Sequence, residues 1–256
     1  AQAQEHTPFF LKALYCLSMT SLISFILSLS LLLAVPSGID VDVVSAGECS
    51  SNEDSAAAPE CVARSEEPKL PTTISVVLPC AHEGKFALKT IKAVYSSTPS
   101  HVLREIVVVD DGSKPPLTKK LLTAEIQERY GVRVIRHKET KGLILSKKHG
   151  GDVAVGDIVV FFDCHVAPQK NWYAPFLKLI GENYRRIVVP VITDLDIDTW
   201  TQSKSSNTNN KCYLSLDADF KWFESDDDFV PVLSGGLLGI SRQWWNETGG
   251  YDDDMQ

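Results

Sequence analysis

An acidic residue and a histidine stand two positions apart directly after a short apolar run. Asp163 and His165 follow the sequence I-V-V-F-F at residues 158–162. Side chains two apart on an extended segment share a face, so these two can hold one cation. A carboxylate and an imidazole suit a divalent metal such as Mn2+, and the carboxyl end of a strand in an open α/β sheet is where phosphate-bearing ligands bind. The spacing therefore predicts a metal and nucleotide site.

Polar residues also follow two other apolar runs. Glu83 ends the sequence P-C-A-H-E, which is either a polar turn or a ligand contact. Asp111 lies in D-D-G-S, directly after V-V-V. Asp and Gly are favoured turn residues, but a carboxylate after a strand can also accept hydrogen bonds from a nucleobase or a ribose. Both are candidate contacts to a bound nucleotide.

Two glycine-containing segments are candidate phosphate or sugar contacts. Gly142 opens a helical pattern that carries Lys147, a plausible place for a pyrophosphate, although the lysine could equally belong to a solvated face. Gly235 and Gly236 lie between two apolar runs. Adjacent glycines let the backbone approach a ligand closely, and a tight turn would use them as well.

The elements that must position these residues alternate along the chain. Strand-like runs are predicted at residues 74–78, 106–109, 132–135, 158–162 and 187–192, and helical patterns lie between them. Fully apolar strands that alternate with helices indicate an α/β fold with a mostly parallel sheet covered on both faces. An aromatic group at Phe220, Trp222 and Phe223 is either core or an acceptor platform.

The first seventy residues have a different character. Residues 13–35 contain no charge and are long enough to cross a bilayer as a helix, so we expect a transmembrane signal-anchor after a cytoplasmic tail at residues 1–12. A cleaved signal peptide is the alternative. Residues 36–70 are acidic and poor in large apolar groups, which predicts a flexible stem.

Charge and cysteines limit the partners. The stem holds most of the net charge of −8, and the nearly neutral remainder argues against a nucleic-acid partner. Six cysteines without a C-x-x-C spacing exclude the usual structural zinc sites. Beyond the membrane, disulfides are permitted, and Cys49 and Cys61 could pair, but the sequence does not fix connectivity.

Taken in order, the motifs resemble those of the polypeptide N-acetylgalactosaminyltransferases, glycosyltransferases of the family 2 type with the GT-A nucleotide-sugar-binding fold. The motifs are V-V-D-D-G-S, G-L-I, F-F-D-C-H, P-V-I-T-D, F-K-W-F, S-G-G-L-L-G-I-S and G-G-Y-D. The resemblance covers roughly residues 74–251. It implies a Rossmann-like GT-A domain over residues 71–256 and an enzyme that moves GalNAc from UDP-GalNAc to Ser or Thr of a protein, with retention at the anomeric carbon.

The resemblance also implies roles for individual residues. Asp163 and His165 match the Mn2+ ligands of the D-x-H motif, and Cys164 takes the middle position near the nucleotide sugar. The other implied donor contacts are Asp111, Gly235 and Gly236, with Glu83 and Lys147 as possible contacts. No catalytic base or nucleophile is identified. The layout also implies a single-pass type II protein of the Golgi membrane with a lumenal catalytic domain.

Two departures from the family pattern favour alternatives. Thr140 stands where family members carry Arg, and G-L-I-R-A-R is replaced by G-L-I-L-S-K, so a cation is lost where a diphosphate would bind. The sequence ends at Gln256, before the W-G-G-E-N motif, a third metal-binding His and the lectin domain. We therefore expect a C-terminally incomplete domain with weak or no activity. The alternatives are an inactive UDP-sugar-binding module and a different family 2 GT-A glycosyltransferase.

Overall fold

One seven-stranded sheet organises the described part of the chain. The computed structural model describes residues 11–15, 70–203, 210–233 and 235–254. The strands of the sheet, in chain order, are β1 Leu11–Tyr15, β2 Ile74–Cys80, β3 Leu103–Asp111, β4 Val132–His137, β5 Ile158–Phe161, β6 Arg186–Pro190 and β11 Leu238–Ser241. Their spatial order is β1-β6-β11-β5-β2-β3-β4.

The remaining elements are helices and two small hairpins. The helices are α1 Lys85–Ser97, α2 Leu117–Lys120, α3 Ala124–Tyr130, α4 Leu143–Val153, α5 Ala174–Glu182 and α6 Arg242–Thr248. The hairpins are β7 Leu195–Asp196 with β8 Thr201–Gln202, and β9 Asn210–Leu214 with β10 Phe220–Glu224.

The sheet is mostly parallel, as the sequence predicts. β2 pairs in parallel with β3 and β5, and β3 pairs in parallel with β4. β11 runs antiparallel between β5 and β6, so β6 points the same way as the parallel strands, and β1 is antiparallel at the edge. The carboxyl ends of β2, β3 and β5 therefore meet at one edge, where ligands bind in folds of this kind.

Both faces of the sheet are buried because the strands are apolar on both sides. Val76, Leu78 and Val108 pack in one core with α1 and α5, while Val77 and Val109 pack in a second core with Trp245 of α6. Successive side chains of a strand point to opposite faces, so V-V-L in β2 serves both cores at once. This confirms the prediction of a sheet covered on both sides.

Some predictions were wrong in detail. The helical pattern after Asp111 forms two short helices, α2 and α3, because Leu122 turns into the core and Thr123 leaves helical geometry before α3. The apolar run that follows Gly236 forms β11, a strand that the sequence did not predict. Phe220 and Trp222 are 42% and 55% exposed on the β9–β10 hairpin and so do not belong to the core.

The predicted membrane span lies mainly outside the described residues. Its first three residues, Ala13 to Tyr15, belong to β1, which pairs with β6, and residues 16–69 are not described. Among the described residues there is no helix with the length and apolar character that crossing a bilayer requires. The anchor over residues 13–35 and the stem over residues 36–70 stay predictions.

Candidate active site

Asp163 and His165 line one cavity at the carboxyl edge of the sheet. They follow β5 directly and share the lining with Glu83, which follows β2. The cavity has a volume of about 540 Å³, and we call it the Asp163 cavity. The Nδ1 atom of His165 lies 3.4 Å from Oε2 of Glu83, and the His165 side chain is 55% exposed. The predicted metal pair and the predicted contact Glu83 are therefore brought together.

Cys164, between the two candidate ligands, faces the interior. It is 1% exposed and forms a disulfide with Cys80 at the end of β2, with the two Cα atoms 5.6 Å apart. Its carbonyl oxygen accepts a hydrogen bond of 2.8 Å from Oγ1 of Thr90 in α1. The sulfur and the carbonyl of Cys164 therefore both have protein partners, and a donor contact by this residue stays a prediction.

Gly235 and Gly236 lie beside Asp163. A Cβ atom on Gly236 would be 3.5 Å from Oδ2 of Asp163, and Gly235 has a φ of 75°, which a residue with a side chain rarely adopts. The ammonium of Lys147 donates to the carbonyl of Gly235 and, at 2.9 Å, to that of Gly236. The glycine pair, the lysine and the acid thus form one connected group.

Lys147 is a buried cation, which the sequence left open. Its residue exposure is 2%, and it does not belong to the lining of the Asp163 cavity. Burial lowers the pKa of Lys147, and the negative charge of Asp163 partly opposes that shift. The lysine therefore holds the backbone of Gly235 and Gly236 next to Asp163. A direct contact of Lys147 with a pyrophosphate stays a prediction.

Asp111 is also buried, and it holds the loop before α4. Oδ1 accepts hydrogen bonds from the backbone N–H of Lys141 at 2.8 Å and lies 2.7 Å from Nδ1 of His137, while Oδ2 accepts from the N–H of Gly142 at 2.9 Å. Burial alone would raise the pKa of Asp111, but these hydrogen bonds outweigh it and lower the pKa. The carboxylate fixes the start of α4, and a contact with a nucleotide stays a prediction.

The histidine pair behind Asp111 gave no recognisable sequence signal. The Nε2 atom of His137 lies 2.8 Å from Nδ1 of His149 in α4, so the two rings extend the hydrogen bonding of Asp111 toward that helix. The residues lie in different elements and share no motif. They come together because α4 packs on β2 and β3, and β4 is paired with β3.

The donor set fits a divalent metal held partly by protein. No cluster of three or more His, Cys, Asp or Glu side chains able to hold a metal occurs among residues 11–15, 70–203, 210–233 and 235–254. Asp163 and His165 nevertheless face the same cavity with a carboxylate oxygen and an imidazole nitrogen, donors that suit Mn2+. Two protein ligands leave coordination positions for a ligand phosphate or for water.

The cavity lining shows one further feature that the motifs did not reveal. Aromatic and aliphatic side chains, among them Phe86, Phe162 and Trp172, form much of the wall. Asp194, which follows β6, also lines the cavity. The described lining of the cavity contains Glu83, Asp163 and His165 but neither Lys nor Arg.

Comparison with known proteins decides the family. The family model of glycosyl transferase family 2 matches residues 75–248. The chain belongs to glycosyl transferase family 2. The matched region contains every element from β2 to α6, and it includes the strand ends that carry Glu83, Asp111 and Asp163.

Two curated relatives of this family 2 chain are polypeptide N-acetylgalactosaminyltransferases. It is 31% identical to human polypeptide N-acetylgalactosaminyltransferase 10 over 209 residues, which is 77% of this chain and 34% of the relative. It is 29% identical to mouse polypeptide N-acetylgalactosaminyltransferase 3 over 215 residues, with the same two shares. The chain therefore spans about a third of the length of these curated relatives.

A solved structure supports the fold. A crystal structure of GalNAc-T7 with UDP, GalNAc and Mn2+ aligns with 73% of this family 2 chain and 38% of that chain, with a TM-score of 0.60 and 24% sequence identity. At that identity the likeness concerns the fold, an α/β sheet of the GT-A kind.

Proposed function

We propose that this protein is a glycosyltransferase that binds a UDP-sugar with Mn2+ in the Asp163 cavity and transfers the sugar, GalNAc, to Ser or Thr of a protein. The observation that carries the proposal is the D-x-H pair at the end of β5, which faces one cavity in a chain that belongs to glycosyl transferase family 2. The names of its relatives and the UDP, GalNAc and Mn2+ in the GalNAc-T7 crystal support the choice of donor and metal.

The charges around the cavity support a metal requirement. Glu83 and Asp163 line it, and its described lining holds no Lys or Arg. A diphosphate that entered such a cavity alone would meet carboxylates, because the nearby cation Lys147 is already bonded to Gly235 and Gly236. A divalent ion on Asp163 and His165 would neutralise charge on the leaving diphosphate.

Different residues of the chain would then bind the ion and the sugar. Asp163 and His165 would hold the ion, and Glu83, 3.4 Å from His165, would orient the imidazole. The glycine pair beside Asp163 would let the backbone approach the sugar closely. In the transfer, the acceptor oxygen bonds to the anomeric carbon, the bond from that carbon to UDP breaks, and the hydroxyl proton passes to the departing UDP; we propose retention of configuration.

Several finer features belong to the same proposal. A buried disulfide is typical of proteins made in an oxidising compartment, which supports a lumenal domain. We propose a Golgi membrane location with the predicted anchor at residues 13–35, and no nucleic-acid partner. A second candidate is a UDP-sugar-binding module without transferase activity. It is favoured by Thr140, whose hydroxyl is bonded to the carbonyl of Asp111 where family members carry Arg.

The proposal is tested by measuring UDP binding through its effect on the melting temperature of the protein. We expect UDP to raise the melting temperature only with Mn2+ present, and His165→Ala to abolish the shift because it removes one of two protein ligands. His101→Ala is the matched control, since His101 is exposed and precedes β3 at the opposite edge of the sheet. Equal stabilisation without metal, or an unchanged shift in the His165 variant, would contradict the proposed site.

A transfer assay separates the two candidate functions. The protein is incubated with UDP-GalNAc, Mn2+ and a Thr-containing peptide, and the peptide mass is measured, with a Thr→Ala peptide as control. A mass increase of one sugar on the Thr peptide alone identifies the transferase. Metal-dependent UDP binding without any transfer would favour the binding module.

A further inference from the structure

The Cys80–Cys164 disulfide joins the two segments that carry the polar wall of the Asp163 cavity. Cys80 is the last residue of β2 and precedes Glu83 by three positions. Cys164 separates Asp163 from His165. The bond therefore links the backbone that carries Glu83 to the backbone that carries the metal pair.

The direction of the Cys164 side chain decides the direction of its neighbours. Cys164 is 1% exposed and lies in the core, whereas Asp163 and His165 line the cavity. Cys164 and His165 lie in a turn after β5, and in this turn the side chain of Cys164 is directed into the core while both of its neighbours face the cavity. A crosslink at Cys164 thus fixes which way the D-x-H pair faces.

The other contacts of this segment hold the backbone but not the side chains of the pair. Oγ1 of Thr90 donates to the carbonyl of Cys164 at 2.8 Å and accepts from the N–H of Val166 at 3.1 Å. His165 is more than half exposed, and its nearest polar partner is Glu83 on the other segment. The position of Glu83 depends in turn on the chain between Cys80 and α1, which contains two residues with positive φ, His82 and Gly84.

We propose that the Cys80–Cys164 disulfide is a positioning element of the metal and donor site, so that the protein binds Mn2+ and UDP tightly only in its oxidised form. The inference rests on the proposed function. Reduction by a dithiol such as dithiothreitol supplies two electrons and two protons, yields the Cys80 and Cys164 thiols, and leaves the reagent as its cyclic disulfide. The released segments then no longer hold Glu83 opposite His165.

The experiment uses the whole chain in three forms: oxidised, reduced and desalted to remove the reductant, and C80A/C164A. Alanine replaces each cysteine because a serine hydroxyl would be buried without a partner. Peptide mapping under non-reducing conditions checks the Cys80–Cys164 crosslink. Cys212→Ala is the matched control, since Cys212 is a buried free cysteine on the β9–β10 hairpin.

Affinities for Mn2+ and for UDP in saturating Mn2+ are measured by calorimetry, and the unliganded melting curve is recorded for every form. We expect the reduced protein and C80A/C164A to stay folded and to bind at least tenfold more weakly, while Cys212→Ala binds like the oxidised protein. Reoxidation of the reduced protein should restore binding. A purely structural disulfide would lower the melting temperature and leave both affinities unchanged.

The outcomes are distinguishable. If the oxidised protein binds metal and UDP and the reduced protein binds equally well, the positioning role is wrong and the proposed function stands. If no form binds, the proposed function fails and the positioning role fails with it. Unfolding of both reduced forms, or a map without the Cys80–Cys164 crosslink, would also overturn the positioning role.

Discussion

Lys147 is a charged side chain that lies in the interior of the protein. Its ammonium is buried and donates to the carbonyls of Gly235 and Gly236. Lys147→Met keeps the length of the side chain but removes both hydrogen bonds, so we expect a loss of about 1–3 kcal/mol in unfolding free energy. The double-glycine backbone beside Asp163 should loosen, and UDP affinity in Mn2+ should fall about tenfold, as 1.4 kcal/mol corresponds to a factor of ten.

The neighbouring lysine provides the control. Lys148 pairs with Asp152 one helical turn away, and the Asp152 side chain is 40% exposed. Lys148→Met should change the unfolding free energy by no more than about 0.5 kcal/mol, because exposed ion pairs contribute little. Denaturant titration and calorimetry on both variants check the difference. Equal behaviour of the two variants would show that the buried hydrogen bonds of Lys147 do not support the site.

The residues around the cavity are recognisable in the sequence, but the burial of their neighbours is not. The D-x-H spacing and the strand ends predicted that Asp163, His165 and Glu83 meet, and the cavity confirms it. Asp111 and Lys147 are buried and bonded to protein, which the sequence did not reveal, and a contact of either residue with a ligand stays a prediction. The sequence gives the type of a side chain, whereas its direction depends on the elements that pack against it.

At the scale of elements, α4 lies unusually close to the sheet. Gly150 packs against Val77 of β2 and Val109 of β3, and a Cβ atom on it would overlap the Val77 side chain. Gly150→Ala should therefore lower the unfolding free energy by about 1–3 kcal/mol, since an overpacked core must shift. The shift would also move the start of α4, which Asp111 holds.

Gly181, a glycine in another helix, provides the comparison, because there is space for a Cβ atom at this position. Gly181 lies in α5, and an added Cβ would meet Pro71 at an ordinary 3.4 Å. Gly181→Ala should stabilise the protein by up to about 1 kcal/mol, because alanine favours the helix. Urea unfolding of both variants tests the contrast. Destabilisation by both to the same degree would mean that contact with the sheet is not the cause.

Strand β11 illustrates what local sequence does not reveal. It has four residues and follows a double glycine, so its pattern is too short to distinguish a strand from a buried turn. It forms a strand because it pairs with β5 on one side and with β6 on the other, both antiparallel. The longer apolar runs of β2, β3 and β5 were predictable because each is buried on both faces.

At the scale of the whole molecule, the buried Asp111 and the half-buried Asp157 couple folding to pH. Burial would raise the pKa of Asp157, but hydrogen bonds from Thr72 and Thr73 outweigh it and lower the pKa, and Asp111 behaves alike. A carboxyl group whose pKa is lower in the folded protein than in the unfolded chain stabilises the fold at pH values above its unfolded pKa, which is near 3.8. That stabilisation is lost as the pH falls through the folded pKa.

We therefore expect the unfolding free energy to fall steeply with acid below about pH 4, the region of the ordinary Asp pKa. Asp157→Asn should cost about 1 kcal/mol at neutral pH and flatten this part of the profile. The exposed Asp253→Asn should not alter the profile. Urea titrations between pH 7 and pH 3 measure both variants. A profile of Asp157→Asn parallel to that of the unchanged protein would contradict the assignment.

The sequence by itself determined the alternation of elements, the two-sided burial of the central strands and the carboxylate and imidazole that end β5, because these depend on local apolar pattern and spacing. The tertiary structure decided that Cys164 bonds to Cys80, that Lys147 supports Gly235 and Gly236, and that β11 completes the sheet. The disulfide and the Lys147 hydrogen bond join residues 84 and 88 positions apart, and only the pairing of strands and the packing of helices on the sheet bring such residues within bonding distance.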